Sequence, residues 1–151
     1  MERFTIQKND FLSYDCTGYF HLYYVGYGQP GNPDYLNTLK NIFVSTHPDT
    51  LRSASRQAAA LMIQDIPQVM DAERLDEAVL MAVPRSKSGM CNWQLGFKAA
   101  VRTAVKALQD NNLPVIDGTD FIFRHTSTKM THLRKPVSNF ENTGSEPYPG
   151  I

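Results

Sequence analysis

The feature that most constrains the fold is the run Ala78-Val79-Leu80-Met81-Ala82-Val83, six apolar residues without a break. It is too short for a buried helix and lacks the alternation of a half-solvated strand. It therefore reads as a strand covered on both faces, the pattern of parallel sheets in α/β proteins. After it comes the loop Pro84-Arg85-Ser86-Lys87-Ser88-Gly89. Trp93, Phe97, Ala100, Val101, Ala104, Val105 and Leu108 then recur at helical spacing, with Lys98, Arg102 and Lys106 on another face. Asn111-Asn112 ends that helix. Pro114 to Ile116 and Asp120 to Arg124 are strand candidates on either side of an Asp117-Gly118 turn. Strand, helix and strand in this order predict an α/β domain with a mainly parallel sheet flanked by helices.

The first 75 residues read as a strand-and-helix lead-in. Phe4 to Gln7 and the aromatic stretch Gly18 to Tyr27 are strand candidates. Asn32 and Pro33 suit the cap and first turn of a short helix carrying Leu36, Leu39, Ile42 and Phe43. A second helix starts near Pro48-Asp49, with His47 in its cap. It runs through Leu51, Ala54, Ala58, Leu61 and Met62, and Pro67 is expected to end it. From His125 onward the chain is polar and irregular. The whole 151 residues thus read as one domain: a lead-in over 1–75, a βα core over 76–124, and a flexible flap or tail over 125–151.

Fifteen Lys and Arg balance fifteen Asp and Glu, which argues against a broad nucleic-acid or anionic-membrane surface. The first residues hold no apolar signal core, and no uncharged apolar stretch spans a bilayer. The two cysteines, Cys16 and Cys91, are far apart and fit a reduced, cytoplasmic setting better than a disulfide framework.

Two segments can carry chemistry. Arg85, Ser86, Lys87 and Ser88 follow a buried strand and precede a helix, where α/β sheets place their ligands. Two cations, two hydroxyls and helix-start N–H groups suit a phosphate or pyrophosphate; the same residues also suit a solvated turn. This is not a Walker loop, since the second glycine and its Lys-Ser/Thr pair are missing. The second segment, Arg124 to Lys135, is dense in cations and hydroxyls. It reads either as a flap over an anionic substrate, with Arg124, Lys129 and Arg134, or as a solvated loop. Its two histidines have no carboxylate or cysteine at ligand spacing, so no metal site is assigned. The tyrosines Tyr19, Tyr23, Tyr24 and Tyr27 read as sheet surface rather than a stacking platform.

Three stretches together resemble the competence-associated, ComF-like branch of the type I phosphoribosyltransferases. Val79-Leu80-Met81-Ala82-Val83-Pro84-Arg85 looks like that family's strand and proline-containing loop. Gly96-Phe97-Lys98-Ala99-Ala100 sits where those proteins have a Gly-Phe helix start. Phe123-Arg124-His125 with Thr128, Leu133, Arg134 and Asn139 looks like the family's series ahead of its next strand. The resemblance covers Ala78 to Glu141. It implies a transferase that displaces pyrophosphate from phosphoribosyl pyrophosphate with Mg2+. Arg85 and Lys87 would then serve the pyrophosphate, with hydrogen bonds from Ser86 and Ser88. The family's apolar strand, two adjacent acids and Thr/Gly-rich loop, which grip the ribose phosphate, have no counterpart here. The expectation is therefore a front portion, truncated or catalytically incomplete. The alternative is a non-catalytic nucleotide-binding or partner-binding subunit, for example of a bacterial anti-phage system, alone or as a homo-oligomer.

Overall fold

The computed structural model describes residues 1–10, 12–23, 25, 30–40, 47–84 and 96–122. Its order is β1 (Glu2–Ile6), β2 (Cys16–Phe20), α1 (Asp34–Lys40), α2 (Pro48–Ala72), β3 (Ala78–Leu80), α3 (Gly96–Asp110) and β4 (Val115–Asp117). Among the described residues the architecture is mixed α/β, with three helices and two small sheets. β1 pairs antiparallel with β2, from Glu2 opposite Phe20 to Ile6 opposite Cys16. β3 pairs parallel with β4, from Ala78 opposite Val115 to Leu80 opposite Asp117.

The helices form the centre. On α3 the spacing of Ala100, Val101, Ala104, Val105 and Leu108 puts all five on one face, and all five are buried. Small residues bring α1, α2 and α3 together: Leu39, Ala54, Ala58, Ala59, Ala100 and Ala104 make one core cluster. A second joins Met70, Val101, Val105, Leu108 and Val115, with Met62 and Ile63 packing against both. Ser55 is buried between the helices, its hydroxyl donating to the Gly96 carbonyl at 3.0 Å.

The helix ends are built from specific bonds. The His47 Nδ1 accepts from the Asp49 N–H at 3.2 Å and caps α2 as expected. The last turn of α2 closes with Arg74 N–H to Asp71 O and Leu75 N–H to Met70 O, and Arg74 takes a positive φ of 52°. α3 closes the same way, through Asn112 N–H to Gln109 O and Leu113 N–H to Leu108 O, with Asn112 at φ 60°. Both are Schellman caps, in which one left-handed residue lets two otherwise orphaned carbonyls be satisfied.

Five expectations need correction. Pro67 does not end α2, which continues to Ala72. Ile66 and Met70, on either side of the proline, pack into the second core cluster, and that burial outweighs the missing N–H of Pro67. Asn32 does not cap α1. Its amide instead spans Val25, accepting from Val25 N–H at 2.8 Å and donating to Val25 O at 2.7 Å. The first turn of α1 is anchored by the Pro33 carbonyl.

The third correction concerns the apolar run. Only Ala78–Leu80 is strand, and among the described residues it pairs with β4 alone. Ala78, Leu80 and Ala82 turn inward onto the second cluster. Val79, Met81 and Val83 are 40%, 47% and 90% exposed, so one face of the run is covered rather than two. Fourth, Asp117-Gly118 is not a hairpin turn and Asp120 to Ile122 is not a strand. Asp117 ends β4, and the chain then turns, with Phe121 N–H bonding Gly118 O. β2 is also shorter than the expected Gly18 to Tyr27: it starts at Cys16 and stops at Phe20.

Candidate functional site at the carboxyl edge of the parallel strands

β3, α3 and β4 form a βαβ unit with the two strands adjacent and parallel. Their carboxyl ends therefore lie together. Residues 85–95, including Arg85, Ser86, Lys87 and Ser88, connect the end of β3 to the start of α3; they lie outside the described residues, as do Arg124, Lys129 and Arg134. What is described is the frame on either side of that connection.

The frame is a fastened turn. Past β4, Gly118 N–H donates to Leu80 O at 3.0 Å, carrying the strand pairing one step further. The approach is close. A Cβ on Gly118 would sit 2.6 Å from Val79 Cγ1 and 2.7 Å from Met81 Cγ, so a residue without a side chain is required there. Asp117 then accepts the Thr119 N–H at 2.8 Å. Thr119 is almost fully buried, and its hydroxyl accepts from Arg102 Nε at 2.9 Å. Arg102 Nη2 donates to Asp120 Oδ2 at 2.8 Å, and Lys98 Nζ donates to Asp120 Oδ1.

Lys98 and Arg102 stand one turn apart on α3, which is why both reach the same carboxylate. The electrostatics follow from these contacts. The hydroxyl and N–H of Thr119 hold Asp117 below the usual carboxylate range, with Arg102 adding to the effect. The Lys98 hydrogen bond, followed by the charge of Arg102, lowers Asp120. Both carboxylates are thus ionised and compensated at neutral pH.

Only the cationic half of this network was legible from sequence, as the Lys98, Arg102 and Lys106 face of α3. The acids that meet it were hidden because Asp117-Gly118 looks like a hairpin turn. The usable signal was an acid pair three residues apart directly after a strand that follows a helix with cations at i and i+4.

Among the described residues no three His, Cys, Asp or Glu side chains gather, and Asp120 already carries two cationic partners. Asp76 and Glu77 stand at the amino end of β3, away from this edge. Among the described residues no helix is long and apolar enough to cross a membrane. No family model, curated protein or solved structure matches the chain.

Proposed function

We propose that this domain binds a phosphorylated sugar or nucleotide at the carboxyl edge of β3 and β4, as a phosphoribosyltransferase-type protein binds phosphoribosyl pyrophosphate. One observation carries the reading. The βαβ unit brings the end of β3, the start of α3 and the Asp117–Asp120 turn to one edge. Arg85, Ser86, Lys87 and Ser88 lie in the sequence between β3 and α3, and open α/β sheets take ligands at such an edge. Arg85 and Lys87 supply charge to the pyrophosphate. Arg124, Lys129 and Arg134, which follow the turn in sequence, supply a flap. Magnesium enters this reading on the ligand's pyrophosphate, and the protein's share of any chemistry is positioning and charge neutralisation. Such a ligand is a cytoplasmic metabolite, in keeping with the cysteine usage.

Titration calorimetry with phosphoribosyl pyrophosphate and with pyrophosphate, each with and without magnesium, tests the site. Charge-assisted contacts contribute about 1.5–3 kcal/mol each, so Arg85→Ala with Lys87→Ala should weaken binding at least about hundredfold. Binding indifferent to the double change refutes the proposed site.

A second reading is a binding module without turnover. It is favoured by the compensation of Asp117 and Asp120, whose charges are already met by Thr119, Lys98 and Arg102. Pyrophosphate release from bound phosphoribosyl pyrophosphate separates the two: release supports the transferase, and binding without release supports the module.

A further inference from the structure

The β1–β2 hairpin contributes nothing to either core among the described residues: none of its described residues is buried, and none belongs to either core cluster or packs against one. It has apolar contacts of its own: the Phe4 ring covers Gly18, Phe4 lies 5.9 Å from Phe20, and Phe20 lies 4.7 Å from Tyr23.

Its polar ties to the helices converge on two carboxylates at the far end of α2. Arg3 and Tyr19 are cross-strand partners and both reach Glu73, the residue that follows α2. Tyr19 donates its hydroxyl, and Arg3 Nη2 lies 3.4 Å away. His21, just past β2, meets Asp65 two turns earlier, with Nδ1 2.9 Å from Oδ2. Asp65 is only 13% exposed, so this contact compensates a largely desolvated carboxylate.

We propose that the hairpin is a latched arm, held on α2 by Glu73 and Asp65, which opens as a unit while the three helices and the β3–β4 pair stay folded. Two physical facts support this. Helical packing does not depend on the described arm, because none of its described residues belongs to either core cluster. And a two-stranded hairpin alone is marginal in water, so an arm released from α2 loses its own ladder and its amides exchange.

Hydrogen exchange on the full chain tests the proposal, first in the wild type. As denaturant rises, amides of Glu2–Ile6 and Cys16–Phe20 should exchange through an opening distinct from, and lower in free energy than, the one that frees α2 and α3. In the variant carrying Asp65→Asn and Glu73→Gln, arm amides should exchange about tenfold faster, comparable to one modest net hydrogen bond, while Ala100 to Leu108 keep their protection. The proposal is overturned if arm and helices exchange through one common opening in the wild type. It is equally overturned if the double change leaves the arm's exchange rate as it was.

Discussion

Thr119 shows how one small side chain organises the candidate site. Nearly all of it is buried, so its hydroxyl needs partners. It takes one from Arg102 and, with its own N–H, holds the Asp117 carboxylate. Arg102→Ala leaves that buried hydroxyl without its guanidinium donor and should cost about 1 kcal/mol in urea unfolding. Asp117 and Asp120 both titrate lower in the folded chain than in the unfolded one. Their contribution to stability is therefore complete above the unfolded carboxylate value of about 4 and is lost as pH falls through the folded values. Acid unfolding of Arg102→Ala should begin at higher pH than that of the wild type, because part of the depression is gone. Tyr19 has the opposite sign. Its hydrogen bond to Glu73 raises its pKa, so its contribution holds below about pH 10 and fades as pH rises through the folded value. Arg74, at φ 52° in the α2 cap, sits where glycine has no Cβ penalty. Arg74→Gly should raise stability by about 1 kcal/mol, read as a higher urea midpoint at unchanged slope.

At the scale of elements, α3 and the parallel pair make contrasting predictions for the same chemical change. Val101→Asp or Val105→Asp places an unpaired charge in the helical core and should cost several kcal/mol, enough to unfold a domain of ordinary stability. Val79→Asp puts the charge on the exposed face of β3 and should cost less than about 1 kcal/mol. Thermal unfolding of the three variants distinguishes a strand covered on one face from one covered on both. The contrast also shows what was legible in the sequence. Amphipathic spacing on α3, the Asn111-Asn112 stop and the His47 cap are local signals, and they predicted those features correctly. Pro67 misled because propensity is local while the packing of Ile66 and Met70 is not. The run Ala78 to Val83 misled because an unbroken apolar run does not specify how many faces are covered. The acids of the site were missed because their partners come from a helix about twenty residues away.

At the scale of the molecule, the arm and the candidate site are two regions that should respond differently to a ligand. The arm rests on the α2 end through Glu73 and Asp65, whereas the candidate site is framed by β3, β4 and α3. A ligand bound at the carboxyl edge stabilises whatever its site requires to be folded, by about 2.7 kcal/mol when present at a hundredfold excess over its dissociation constant. The Gly118 amide is the closest reporter, since its bond to Leu80 O breaks when the edge opens. With saturating phosphoribosyl pyrophosphate and magnesium, exchange at Gly118 and at Val115 to Asp117 should slow up to about hundredfold. Arm amides, which exchange through an opening that leaves the site intact, should keep their rates. Protection confined to the arm would move the ligand to the Tyr19 and Glu73 side of the molecule and refute the carboxyl-edge site. Equal protection of arm and edge would make the chain one cooperative unit, removing the independent arm while leaving the binding reading in place.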